Sequence, residues 1–164
     1  MNTKNKVSAG RYCWTELSTT DLTKAKEFYG KVFNWSTEDH PMGKGEVYTM
    51  WKNGKTEIGG AYKLTKEMRS QGIPAHWDTY FQVESADKWT EKARKLGGTI
   101  VKEPFDVMEV GRMAVIQDPT GGVFCLWQSK SHGETPWPDH QKSGPVGWTE
   151  LATSDTKAAK TFYT

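Results

Sequence analysis

This chain of 164 residues is poor in the residue patterns that mark several protein classes. It has two cysteines, Cys13 and Cys125, too few for a secreted disulfide framework, and no CxxC pair that would suggest a structural metal site. Neither HxxxH nor HExxH occurs, so a zinc hydrolase has no support. No apolar run approaches the length of a membrane span, and the start, MNTKNK, lacks the apolar stretch of a signal peptide. A soluble, cytoplasmic protein without membrane association is expected. Charge is close to balanced, with a formal net of +2, and the basic residues alternate with acids, as in DLTKAKEFYGK. A nucleic-acid groove would concentrate basic residues on one face, so no nucleic-acid partner is expected.

Aromatic residues are abundant. They make up 12% of the chain and include eight tryptophans, enough for a folded core. Both cysteines fall within strand-like runs, where the thiol serves as a small buried hydrophobe and a disulfide between them is not expected.

The chain also repeats itself. Trp14–Gly30, WTELSTTDLTKAKEFYG, and Trp148–Thr164, WTELATSDTKAAKTFYT, agree at ten of seventeen positions. A longer period underlies this match. After the strand-like CWTELS, Asp21 is a candidate helix N-cap. Leu22, Ala25, Phe28, Tyr29, Val32 and Phe33 then recur at the spacing of one buried helical stripe. Strands are expected near Trp35–Glu38, at Glu46–Lys52 and at Glu57–Leu64, divided by MGKG and NGK turns. The same order recurs as the strand HWDTYFQV, the helix SADKWTEKARKLGG closed by Gly97, and the strands TIVKEPFDV, RMAVIQD and VFCLWQS. The expected architecture is therefore α+β, with two βαβββ modules at about 11–65 and 75–130, joined by TKEMRSQGIP. Residues 1–10 read as a tail and 131–145 as a proline-containing linker. Residues 146–164 read as the beginning of a third module, one strand and part of a helix.

WTELSTTDLTKAKEFYGKVFNW followed by GRMAVIQDPTGGVFCLWQ resembles the vicinal oxygen chelate superfamily, which includes the glyoxalase, bleomycin-resistance and extradiol dioxygenase proteins. The double-pair, glyoxalase-like branch is the nearest likeness. The resemblance covers about 11–130 and restarts at 146, so residues 146–164 correspond to the truncated start of a second such domain. It implies that the two modules form a curled, mixed-sheet cup holding a small molecule or a metal.

Metal-dependent members place His or Glu on the first and last strand of each module, since divalent metals take imidazole nitrogen and carboxylate oxygen. The matching positions here are Trp14, Gly59 or Gly60, Asp78 and Cys125. Tryptophan offers no lone pair to a metal and glycine no side chain. A metal-free site without a cofactor is expected.

Strand alternation then sorts the remaining candidates. If Trp14 and Glu16 face the cup, so do Asp78, Tyr80 and Gln82, and so do Val123, Cys125 and Trp127. Trp14, Glu16, Asp78, Tyr80, Gln82, Cys125 and Trp127 are the candidate ligand contacts, with aromatic walls suited to a flat or cationic molecule. Glu16 and Asp78 are the candidate general bases, although Glu16 recurs as Glu150, which suits a structural role equally well. His76 shares the strand face of Asp78. His40 lies near a turn and is expected to be solvent-exposed, and His132 and His140 fall in the linker. Gly121 and Gly122 are expected to make the tight turn before the last strand.

Three functions remain open. The first is metal-free binding of a small organic molecule. The second is a lyase or isomerase resembling lactoylglutathione lyase, with a carboxylate base. The third is a non-catalytic remnant acting by association. The apolar face of the third segment (Trp148, Leu151, Phe162) cannot bury itself, so it is expected to pack on its own chain or on a second copy, and a homodimer is expected.

Overall fold

A computed structural model describes residues 9–130 and 146–164. The first module comprises β1 (Arg11–Thr19), α1 (Leu22–Phe33), β2 (Ser36–Gly43), β3 (Glu46–Asn53) and β4 (Thr56–Lys63). A one-turn helix, α2 (Lys66–Ser70), follows. The second module comprises β5 (His76–Gln82), α3 (Ala86–Lys95), β6 (Thr99–Val107), β7 (Gly111–Gln117) and β8 (Val123–Ser129), and α4 (Thr156–Tyr163) completes the chain. The two βαβββ modules therefore form as the sequence pattern predicts. The eight strands make a mixed sheet ordered β2-β3-β4-β1-β5-β8-β7-β6. Within each module the first and last strands pair parallel, β1 with β4 and β5 with β8. The remaining pairs inside each module are antiparallel.

Contacts divide the described residues into two compact units. One holds 14–78 and 146–148; the other holds 9–13, 79–130 and 149–164. The division falls within β1 and β5 and not between the modules, so His76–Asp78 belong with the first module and Arg11–Cys13 with the second.

In the unit of 14–78, Leu17, Trp51, Ile58 and Ala61 form the core, with Leu22, Ala25, Tyr29 and Trp35 packed against them. Asp21 caps α1 as expected, its carboxylate accepting from the Lys24 N–H at 3.0 Å. The helix stripe is only partly buried. Phe28, Val32 and Phe33 are 58%, 54% and 47% exposed, which corrects the expectation that all six apolar positions face inward. The stripe spans more of the helix circumference than the sheet contact covers, and that contact is made by Leu22, Ala25 and Tyr29. β2 is also longer than expected, so His40 lies on a strand opposite Tyr48, exposed as expected and three residues before β2 ends at Gly43. Pro41 is tolerated there because β2 is an edge strand, and the register slips between Pro41 and Gly43. The segment 65–74, read as an irregular connection, contains α2, capped by Thr65 through its bond with the Met68 N–H.

In the other unit, Val83, Ala93, Ala114, Ile116, Phe124, Leu126 and Phe162 form the core. Arg112 of the GRMA run grips Asp87, at the start of α3, with hydrogen bonds of 2.9 and 3.0 Å. Gly121, at φ +98°, makes the expected turn before β8. Gly122 has no positive φ. A side chain there would press on the Asp118 carboxylate and on Leu151, and this close approach is what calls for glycine. Asp118, 3% exposed, organises the turn by accepting from the N–H groups of Thr120 (2.7 Å) and Gly122 (3.0 Å) and from the Thr120 hydroxyl (2.9 Å). Burial pushes its carboxyl up, but hydrogen bonds from Thr120, Tyr163 and Gly122 outweigh this and hold it below the usual aspartate range.

The repeated segment forms half of what was expected. Asp155 caps α4 as Asp21 caps α1, accepting from the Ala158 N–H at 2.9 Å. No strand forms over 146–155, because a strand requires an edge to supply its backbone hydrogen bonds. The apolar face of α4 is buried on its own chain. Phe162, 8% exposed, packs edge-on against Phe124, and the Tyr163 hydroxyl donates to Asp118 at 2.9 Å. Trp148 takes no part and is 83% exposed. The linker 131–145, with His132 and His140, and most of the tail 1–10 lie outside the described residues.

Phe162→Ala is expected to destabilise the protein by about 3 kcal/mol, as large-to-small core changes do. Tyr163→Phe is expected to cost about 1.5–3 kcal/mol, the worth of one hydrogen bond to a charged partner. Urea unfolding of both variants measures the two terms, and a Phe162→Ala protein as stable as the parent would show that α4 adds nothing to this core.

Candidate functional site

β1 carries two kinds of side chain. Leu17 enters the helix-covered core, while Trp14, Glu16 and Ser18 alternate onto the opposite face. The register sets Glu16 against Gly60 and Ser18 against Tyr62 on β4, and β3 sets Tyr48 against Tyr62 and Met50 against Gly60. Three strands thus bring Trp14, Glu16, Ser18, Tyr48 and Gly60 onto one face of the unit of 14–78.

Tyr48 ties this face together. Its hydroxyl accepts from the Trp14 indole N–H at 3.2 Å and hydrogen-bonds with the Glu16 carboxylate. Burial, then the Glu16 charge and that bond, push the phenol well above its ordinary value. Tyr48 is therefore a neutral donor to Glu16 at any physiological pH. Gly60 makes room for it, since a Cβ there would lie 2.0 Å from the Tyr48 hydroxyl oxygen. The β3 run EVYTMWK contained the signal for Tyr48, because alternation sets it on the face opposite Trp51. What the one-dimensional pattern lacked was the pairing that brings it to Trp14 and Glu16.

The start of β5 adds an acid. Asp78 is 8% exposed; its Oδ2 accepts from the Ser18 hydroxyl at 3.1 Å, and its Oδ1 lies 3.3 Å from His76 Nε2. Its backbone carbonyl accepts from the Thr15 hydroxyl at 3.0 Å. Burial raises the carboxyl above its ordinary value, while His76 and Ser18 act in the opposite direction. The structure thus brings His76 to Asp78, as shared strand parity suggested, and adds Ser18, which sequence reasoning had not singled out. His40 stays apart on β2, 3.7 Å from Glu38.

The other candidates form a separate group in the unit of 79–130. Tyr80 pairs with Cys125 and Gln82 with Trp127 across β5 and β8, and the rings of Tyr80 and Trp127 meet near edge-on at 6.5 Å. All four alternate with the core residues Phe124 and Leu126, so they share one strand face as expected. Val123, also assigned to that face by parity, is 46% exposed. Cys13 and Cys125 are both buried free thiols. Burial pushes Cys13 up to about 12, and its Sγ donates to the Tyr80 carbonyl at 3.5 Å, so it is inert packing.

Of the residues matched to the metal positions of the superfamily, Asp78 and Cys125 carry side-chain donors for a metal and Trp14 and Gly60 do not. The Trp14 indole nitrogen carries a hydrogen that it donates to Tyr48. Gly60 brings no donor, and the space above it is filled by the Tyr48 hydroxyl. Asp78 is engaged by Ser18 and His76. Among the described residues no three His, Cys, Asp or Glu side chains are grouped to hold an ion.

Comparison with known proteins agrees with this architecture. The sequence profile of the Glyoxalase/Bleomycin resistance protein/Dioxygenase superfamily matches residues 11–126. The "Putative glyoxylase CFP32" of Mycobacterium tuberculosis (strain CDC 1551 / Oshkosh) is 35% identical over 168 residues, covering 99% of this chain and 62% of that protein. The "Anthracycline biosynthesis protein DauV" of Streptomyces sp. (strain C5) is 30% identical over 171 residues, covering 96% of this chain and 60% of that protein. The chain therefore spans about three fifths of the length of these curated relatives. A methylmalonyl-CoA epimerase in complex with methylmalonyl-CoA and NH4+ superposes with a TM-score of 0.55 at 18% identity, covering 79% of this chain and all of the epimerase. At that identity the likeness is one of fold.

Two outcomes test the site geometry. Gly60→Ala is expected to displace Tyr48 and to cost about 1–3 kcal/mol, the range for overpacking, measured by denaturant unfolding. Asp78→Asn is expected to leave stability unchanged near pH 4 and to raise Tm at pH 8. The sign follows from burial, because the folded-state value of Asp78 lies above its unfolded value. The protonated carboxyl therefore favours folding at low pH, and that stability is lost as pH rises through the folded value. A Tm for Asp78→Asn below that of the parent at pH 8 would contradict this.

Proposed function

The chain belongs to the Glyoxalase/Bleomycin resistance protein/Dioxygenase superfamily, and we propose that it binds a small organic molecule, without a metal, on the β1–β3–β4 face bearing Trp14, Glu16, Tyr48 and Asp78. The Trp14–Tyr48–Glu16 hydrogen-bonded chain carries this reading. It presents an aromatic ring, a neutral phenol and a carboxylate from three adjacent strands, all held in place before any ligand arrives. Such a surface suits a flat or cationic molecule with polar substituents. In the other unit, Tyr80, Gln82, Cys125 and Trp127 are proposed as contacts on that unit's own strand face. The absence of metal from the proposal rests on the chemistry of the donor set, two members of which, Trp14 and Gly60, offer no lone pair.

A second reading is favoured by one observation. Asp78 is buried, raised in pKa and joined to a histidine, the setting in which a carboxylate serves as a general base near neutral pH. In that reading the protein is a lyase or isomerase acting on a carbon acid, with Asp78 or Glu16 taking the proton. The relative named a glyoxylase and the fold shared with an epimerase are consistent with such chemistry. Cytoplasmic location and a homodimer complete the proposal. The exposed Phe28, Val32 and Phe33 of α1 supply an apolar surface for a second copy.

Calorimetric titration with Ni²⁺ and Zn²⁺ is expected to give no stoichiometric binding, and a fluorescence screen of small aromatic and cationic molecules is expected to yield saturable ligands. Trp14→Ala should weaken those ligands at least about tenfold, the scale of losing one aromatic contact. Stoichiometric metal abolished by Asp78→Ala would overturn the metal-free reading. Sedimentation velocity tests the dimer, which Phe28→Glu is expected to dissociate.

A further inference from the structure

The His76–Asp78 pair is more constrained than a surface ion pair. His76 Nδ1 lies 2.7 Å from the Pro74 carbonyl oxygen. A carbonyl only accepts, so Nδ1 carries a hydrogen and donates it. His76 Nε2 lies 3.3 Å from Asp78 Oδ1, while the Ser18 hydroxyl donates to Oδ2. With Nδ1 committed, the Nε2–Oδ1 contact is attractive only when at least one proton lies between the two atoms. With none, two lone pairs would face one another. The side chains differ in access to water, 33% exposed for His76 and 10% for Asp78.

We propose that His76 and Asp78 hold one proton in common and that His76 is the residue through which the buried carboxylate exchanges that proton with water. His76 is thus a positioning residue. The inference rests on the second reading above, in which Asp78 takes a proton from a carbon acid, and it adds the route by which that proton leaves. In the resting pair Asp78 is ionised and His76 is an imidazolium. When the substrate C–H bond breaks, its electron pair stays on the substrate and its proton forms an O–H bond on Asp78. The imidazolium then gives its Nε2 proton to water, forming hydronium. Transfer of the Asp78 proton to Nε2 restores the starting pair. Proton abstraction would therefore be accompanied by exchange with solvent. The other ionisable groups on this face are Glu16 and Tyr48, which bond each other, and Tyr62, opposite Ser18 and Tyr48; the hydrogen-bonding and charged partners acting on the Asp78 carboxyl are His76 and Ser18.

The test is an NMR titration of the whole chain labelled with ¹⁵N-histidine and ¹³C-aspartate, with His76 identified by the signals lost in His76→Gln. Expected is an Nδ1 that keeps its hydrogen throughout the pH series, held by the Pro74 carbonyl. His76→Gln should raise the Asp78 midpoint, since His76 acts to lower it, and Asp78→Asn should change the Nε2 chemical shift by removing the acceptor of its proton. The reciprocal variant serves if either protein fails to fold. An Nδ1 that loses its proton, or an Asp78 midpoint that ignores His76→Gln, would overturn the inference. An Asp78 midpoint that responds to His76→Gln in a protein that exchanges no carbon-bound deuterium in any ligand found by the screen would instead defeat the carbon-acid reading and leave the proton-sharing pair standing.

Discussion

Asp78 gives up almost all of its water on folding, and what replaces that water organises the face around it. A buried carboxylate is costly unless hydrogen bonds or opposite charge compensate it. Here the compensation comes from a hydroxyl on β1 and an imidazole two residues earlier on β5. Compensation is incomplete, because burial still outweighs both partners and the carboxyl remains raised. A group left strained in this way destabilises the fold, and functional sites are where such strain is retained.

The same logic links the rest of the face. Glu16 is 9% exposed and is matched by the Tyr48 phenol, whose own seat exists because position 60 has no side chain. Trp14, Glu16, Tyr48 and Gly60 therefore act as one packed unit. The glycine that disqualifies this position as a metal ligand is what admits the tyrosine.

The two copies of the repeated helix show how context redirects one sequence. Asp21 and Asp155 cap their helices in the same way, since a cap needs only its own next three residues. The aromatic pair that follows behaves differently. Phe162 is buried against Phe124, whereas its counterpart Phe28 is 58% exposed. Tyr163 donates to Asp118, whereas Tyr29 accepts from the Trp77 indole at 3.0 Å. Each ring finds whatever neighbour its unit provides.

Local periodicity and turn chemistry in the sequence determined the βαβββ order of both modules, the helix caps, the Gly121 turn and the strand parity that set Trp14 with Glu16 and Tyr80 with Gln82. These features depend on residues within a few positions of one another, so a single sequence carries them. The third segment's strand was misread because the same words that make a strand at Trp14 need a neighbouring edge, which residues 146–155 do not have. Tertiary structure alone decided that Tyr48 meets Trp14 and Glu16, that Ser18 reaches Asp78, and that α1 leaves half its stripe uncovered. Those outcomes depend on pairings between residues such as Trp14 and Tyr48 or Ser18 and Asp78, 34 and 60 positions apart, and on how much of a helix one sheet can cover, which no local pattern encodes.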